Sequence, residues 1–325
     1  MVQSIIGVKG ATSAQGPQVR RLVVDEGSEG QRLDNFLLRI LKGVPKTHVY
    51  RVIRSGEVRV NKGRAAPDTR LALGDEVRVP PVRMAEPATA AVAAPAREFI
   101  VLFEDEHLLA IDKPAGVAVH GGSGVAFGVI EQLRRARPDA KFLELVHRLD
   151  KETSGVLLLA KKRSALTALQ DQFRNRDTDK RYVALVAGAW PANKKVIDVA
   201  LHKTLDAQGE RHVRPVPADH ADGRRSITLV KVAKGFTAFT LLDVTLKTGR
   251  THQIRVHLAS EGHAIVGDPK YGDFALNRQM ARGEHRFGRM FLHARQLAFE
   301  HPATAERVEV TAPLPLECET LLQQL

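Results

Sequence analysis

Apolar positions change their spacing several times along the chain, and each change marks a boundary. Leu33, Phe36, Leu37 and Ile40 recur as one face of a helix, and Val49, Val52 and Ile53 make the face of a second. Pro45 stands near the start of that second helix, and Ser55-Gly56 ends it. Arg20 to Val24 predicts a short strand before the helices. Val58 and Val60 alternate like another, Asn61-Lys62-Gly63 predicts a turn, and Val77 with Val79 predicts a last strand. Together these elements predict a compact module over residues 20–83. Residues 1–19, rich in Gly, Ser and other small side chains, predict a flexible N-terminal arm. The Ala/Pro-rich stretch 84–97 offers little to bury and predicts a linker.

From residue 98 to 325 the pattern is one of short strand-like runs, among them Leu108 to Ile111, Val156 to Leu159, Tyr182 to Val186 and Ile227 to Val230. Helical spacing appears between them, over Ser164 to about Arg174 and Thr251 to Ser260. Strands and helices do not alternate regularly. The expectation is therefore an α+β domain on a mixed, largely antiparallel sheet. No fixed-period repeat is present.

The polar positions of the first module carry Arg39, Lys42, Lys46, Arg51, Arg54, Arg59, Lys62 and Arg64. The whole chain has 49 Lys+Arg against 37 Asp+Glu, a formal net charge of +12. That balance favours a polyanionic partner, since basic groups displace counterions from a phosphate backbone. A plain solvated surface is the alternative for the module. The single cysteine, Cys318, can form neither an intrachain disulfide nor a multi-cysteine zinc site, which fits a reducing cytoplasm. The N-terminus does not read as a signal peptide, and no run is long and apolar enough to predict a membrane span.

Two polar knots are candidates for chemistry. The first is Val146-His147-Arg148-Leu149-Asp150-Lys151-Glu152-Thr153-Ser154-Gly155, directly before an apolar run. Lys151 and Arg148 flank Asp150, and a nearby cation keeps a carboxylate ionised, ready to act as nucleophile or base. Spacing alone favours a loop salt bridge over a reactive group here. The second knot is Lys247-Thr248-Gly249-Arg250-Thr251-His252-Gln253-Ile254-Arg255-Val256-His257. A helix from about Thr251 puts Gln253 and His257 on one face, and the Arg255 fork suits a carboxylate or phosphate. A helix start with a solvated basic face is equally compatible with this stretch. His252, His257 and His263 lack a zinc-site spacing, so no metal is expected. Neither a phosphate-loop nor a dinucleotide-binding signature is present. Tyr182 reads equally as a core residue or as a ring that stacks on a base, with Lys180 or Arg181 meeting phosphate.

Resemblance separates these readings. Arg32-Leu33-Asp34 and the run from Val52 to Asn61 resemble an S4-type RNA-binding domain. The remainder resembles the pseudouridine synthases that modify large-subunit ribosomal RNA, in the branch with an N-terminal S4 domain. The matching stretches are Leu109 to Gly116, Val146 to Gly155, Lys180-Arg181-Tyr182, Gly249 to His257 and Gly267 to Gly272. The resemblance implies that Asp150 is the catalytic residue and Arg255 its paired arginine. It implies further that Tyr182 stacks on uracil and helps remove the C5 proton, that Arg148 assists extrusion of the target, and that Ile254 bounds the base pocket. It implies a reaction without cofactor or metal. The partner it implies is large-subunit ribosomal RNA or a pre-ribosomal particle, met by a cytoplasmic monomer away from membranes. Other ribosomal or transfer RNA uridines, a non-catalytic ribosome-assembly factor and a nucleoside hydrolase are the competing functions.

Overall fold

The computed structural model describes residues 18–25, 27–41, 43–82, 94–122, 126–205 and 211–325. The chain divides into two compact units, Met1–Ala93 and Ala94–Leu325. Most of the expected arm and linker, and Lys42, lie outside the described residues.

In the first unit the elements run β1 (Arg20–Val23), α1 (Leu33–Ile40), α2 (Lys46–Arg54), β2 (Arg59–Val60) and β3 (Glu76–Val79). The strands form an antiparallel sheet in the order β1-β3-β2. Leu33, Phe36, Leu37, Val49, Val52 and Ile53 turn their helical stripes into one core with Val77 and Val79. Buried Asp34 ties the helices together: Arg32 donates to it at 2.7 Å and the Tyr50 hydroxyl at 3.1 Å. The expected turn is present, with Asn61 and Lys62 both at positive φ.

The second unit carries β4 (Ile100–Glu104), β5 (Leu108–Lys113), α3 (Val129–Ala136), β6 (Glu144–Leu145), β7 (Ser154–Ala160), α4 (Arg163–Asn175) and β8 (Asp179–Ala187). It continues with β9 (Val196–Asp198), β10 (Ala200–Leu205), β11 (Arg211–Val216), β12 (Ile227–Gly235), β13 (Phe239–Leu246) and α5 (Gln253–Ser260). It ends with α6 (Phe274–Arg282), β14 (Leu292–Glu300), β15 (Arg307–Thr311) and α7 (Leu316–Gln324). A ten-stranded sheet runs β4-β5-β7-β14-β8-β13-β12-β9, with β15 on β14 and β6 on β7. β7 and β14 are parallel, and the other described pairs are antiparallel. The mixed, largely antiparallel α+β expectation therefore holds.

Every residue of β7 is buried, so it reads as a continuous apolar run rather than an alternation. Gly155 lies beside Ala294 of β14 at φ +108°; a Cβ there would sit 2.2 Å from the Ala294 carbonyl oxygen. Only glycine lets the two strands approach this closely directly after the first polar knot.

One boundary differs from the expectation. α5 starts at Gln253 rather than Thr251, and His252 before it is left-handed, at φ 53°. The Gln253 side-chain oxygen accepts from the Thr248 hydroxyl at 2.8 Å and the Arg250 N–H at 3.0 Å, closing the turn that a longer helix would occupy. Among the described residues no helix is long and apolar enough to cross a membrane.

Candidate active site

Asp150 lies in the loop between β6 and β7, directly before the buried strand that fixes it. The cation beside it comes from across the sequence: Arg255 Nη1 is 3.3 Å from Asp150 Oδ2. Arg148 and Lys151, the expected local partners, are both exposed, because the tight loop turns them outward. The loop salt bridge expected from spacing is thus replaced by a pairing between two distant knots.

Arg255 is only 5% exposed, so the solvated basic face is also excluded. A second carboxylate holds it. Asp268 accepts from Arg255 Nε and Nη2, each at 2.8 Å, and from the backbone N–H groups of Lys270 and Tyr271. Gly267 makes this turn possible: at φ +76°, a Cβ would come 1.8 Å from the Arg289 carbonyl oxygen. The Arg255 guanidinium also lies over the Tyr271 ring, 5.1 Å from its centroid. Burial opposes the Arg255 charge, but Asp268 first and then Asp150 raise its pKa above the ordinary arginine range. The result is an Asp–Arg–Asp line with its more accessible end, Asp150, open to a cleft.

His252 joins this line, its Nε2 3.9 Å from Asp150 Oδ1 and its Nδ1 2.8 Å from the Tyr271 hydroxyl. Burial lowers the His252 pKa, against the opposing pull of Asp150, so the positive charge at Asp150 comes from Arg255. Behind the loop, fully buried Lys113 donates to the carbonyls of Pro114, Val117 and Lys151. Burial pushes its pKa down to about 7. These bonds pin the backbone next to Asp150.

Tyr182 rises from β8, packed in the same apolar cluster as Ile254. Burial first, and Asp150 second, raise its phenol pKa, so it is protonated at neutral pH. Arg148, Asp150, Tyr182, Ile254 and Arg255 all line one cleft of about 510 Å³, with Leu292 and Leu246 among its apolar lining. The structure thus assembles every candidate cleft residue of the sequence analysis. Gln253 and His257 share a face as expected, both bonded to the Thr228 hydroxyl. That face is structural. His263 bonds the Ala187 carbonyl instead, and among the described residues no metal-holding group of His, Cys, Asp or Glu occurs.

In the first unit Lys46, Arg51, Arg54, Lys62 and Arg64 are exposed and Arg59 is half-buried. Arg39 is exposed but engaged, donating to the Ser28 hydroxyl at 2.6 Å and lying over the Phe36 ring.

His252 was weighed from sequence only as a metal ligand, and Asp268 and Lys113 were not singled out individually. Their signal was present in the stretches around Asp112-Lys113-Pro114 and Gly267-Asp268-Pro269, which matched as motifs without a stated role for each side chain.

Fold and site together define a largely buried carboxylate–arginine–carboxylate line opening on a cleft, in a chain that also carries a small basic module. Comparisons with known proteins specify it further. The RNA pseudouridylate synthase family matches residues 107–260, and the S4 domain matches residues 31–77. Ribosomal large subunit pseudouridine synthase C of Escherichia coli K12 is 47% identical over 314 residues, covering 95% of this chain and 97% of that protein. The enzyme of the same name from Yersinia pestis is 50% identical over 304 residues, covering 92% and 93%. Among solved structures, human RNA Pseudouridylate Synthase Domain Containing 4 is 27% identical, with a TM-score of 0.57, covering 69% of this chain and 92% of that one. The chain belongs to the RNA pseudouridylate synthase family, as an RNA isomerase carrying an S4 domain.

Proposed function

We propose that this enzyme converts specific uridines of large-subunit ribosomal RNA into pseudouridine, with Asp150 as its catalytic residue. The observation that carries the assignment is the Asp150–Arg255 pair, at 3.3 Å, facing Tyr182 across one cleft. The similarity to ribosomal large subunit synthases supports the choice of RNA.

The reaction breaks the C1'–N1 bond of uridine, turns the uracil, joins C5 to C1' and moves the C5 proton away, while N1 gains a proton. Atoms are conserved, and no outside reagent enters. Arg255 keeps Asp150 anionic, which suits attack on the sugar or removal of its C2' proton. Ile254 and the Tyr182 ring form the walls against which uracil is held while detached. Because the phenol is protonated at neutral pH, its hydroxyl acts as a hydrogen-bonding relay for the C5 proton rather than as a standing phenolate. Arg148, exposed at the rim, fills the space left when the target leaves its stack, a step that costs roughly a few kcal/mol.

Lys46, Arg51, Arg54, Arg59, Lys62 and Arg64 of the S4 domain supply phosphate contacts that offset this cost, with Arg39 and Lys42 as further candidates. In this reading the enzyme works in the cytoplasm as a monomer, on free RNA or a pre-ribosomal particle. The test is to map pseudouridines in ribosomal RNA from cells lacking the protein. Specific large-subunit sites should be missing, and should return with the wild-type gene but not with Asp150→Asn. Loss confined to transfer RNA would reassign the substrate.

A further inference from the structure

Lys180 is a buried charged group of the cleft that has no task in the chemistry above. Lys180 is 8% exposed and lines the same cleft as Asp150. Its ammonium lies 5.5 Å from the centroid of the Phe173 ring and donates to one neutral group, the Thr178 hydroxyl, at 3.2 Å. The carboxylate nearest in sequence, Asp179, is paired with Arg307. Arg176 and Lys247 add positive charge around it, and His147 stacks on the Phe173 ring. Buried lysines are ordinarily paired, since an unpaired buried charge is expensive. Asp179 acts on Lys180 only at a distance and is shared with Arg307, so the cations outnumber the carboxylates there and leave a place for an anion.

The strand fixes where that anion must be. Lys180 and Tyr182 are alternate residues of β8, so they project to the same face, roughly 6.5 Å apart along the strand. Arg181 between them is exposed, on the opposite face. Resting on the reading of Tyr182 as the uracil platform, we infer that Lys180 forms a phosphate-binding subsite for the backbone phosphodiester adjoining the target uridine. The phosphate completes the ion pair that the protein leaves unmade, and holds the sugar while the base is detached and turned. Burial lowers the Lys180 pKa in the free protein, and an arriving phosphate opposes that shift.

The test uses the full-length enzyme in single-turnover reactions on a ribosomal RNA fragment containing a site modified by the wild type. A second fragment carries a neutral methylphosphonate beside that uridine. Lys180→Met should weaken half-saturating RNA concentration by about tenfold or more, with Lys180→Arg recovering much of it. On the neutral fragment Lys180→Met and wild type should bind alike, which a merely structural lysine would not produce. Melting curves run beside the kinetics establish that Lys180→Met is folded. Lys180→Gln, which removes the charge but keeps a polar end for the Thr178 hydroxyl, carries the same comparison if it is not. Unchanged RNA dependence in Lys180→Met, an equal loss in Arg181→Met, or an undiminished difference on the neutral fragment overturns the subsite. Those results leave the enzymatic reading intact, whereas a wild type that forms no pseudouridine refutes that reading itself.

Discussion

Replacing Asp268 by asparagine removes one negative charge while preserving shape, and its consequences follow from four bonds. One Asp268 oxygen accepts from Arg255 Nη2 and from the N–H groups of Lys270 and Tyr271, and the other accepts from Arg255 Nε. An amide that keeps its oxygen toward the backbone must turn its NH2 toward the Arg255 Nε–H, donor against donor. Asp268 is 1% exposed and Arg255 5%, so water does not repair the mismatch. Breaking a buried pair by removing one partner costs about 3–5 kcal/mol. For a domain of this size, that lowers the melting temperature by roughly 6–20 °C. Arg255 loses its aim at Asp150, and displacement of that scale lowers kcat on the order of 10- to 100-fold. RNA affinity should change little, since Asp268 is buried.

Acid titration gives an independent readout. Burial opposes the Asp268 charge, but Arg255 and the two backbone donors outweigh it and hold the carboxyl below its ordinary range. Its stabilising contribution is therefore complete above an unfolded-state pKa of about 3.9 and is lost as pH falls through the lower folded value. The stability gap between wild type and Asp268→Asn should narrow in that acid window. Unfolding curves by circular dichroism from neutral to acid pH, with single-turnover kinetics at neutral pH, make the comparison. An Asp268→Asn protein with unchanged melting temperature and kcat would refute the role given to this carboxylate.

Tyr182→Phe should retain RNA binding yet form little pseudouridine, while Tyr182→Ala should also lose a stacking contact worth about 1–3 kcal/mol; product analysis by mass spectrometry and filter binding separate the two effects. Changing Lys46, Arg51 and Arg54 together to glutamine should flatten the dependence of log affinity on log salt by roughly 0.7–0.9 for each phosphate contact removed. An unaltered slope in binding titrations from low to high salt would take RNA anchoring away from this face of the S4 domain.

Much of this architecture was legible because local pattern and tertiary structure agree. The Leu33-Phe36-Leu37 and Val49-Val52-Ile53 stripes became the core of the first unit, and the apolar run after Ser154 became a wholly buried strand. Physical reading failed where a partner is remote. Nothing near Asp150 in sequence announces Arg255, 105 residues away, and the exposed Arg148 and Lys151 were the misleading neighbours. The start of α5 was missed because side-chain bonds to Gln253 replace a helical turn, which spacing does not encode. Asp268 and Lys113 stayed hidden for a related reason. Asp268 meets a guanidinium on α5 and Lys113 meets three carbonyls, one of them 38 residues away, in turns whose course spacing does not encode. The resemblance named Asp150, Tyr182 and Arg255 together before geometry did, and the structure adds the support that keeps them aligned.

The most direct test of the central claim is the turnover of purified Asp150→Asn on a large-subunit ribosomal RNA fragment, read as pseudouridine formed per enzyme. Asparagine keeps the size of the side chain and its place beside Arg255, but cannot supply an anion to the sugar. A normal melt and near-normal RNA affinity with no detectable pseudouridine is the predicted result. Pseudouridine formation at the wild-type rate would contradict the account, because the reaction would then not depend on the carboxylate around which the cleft is built.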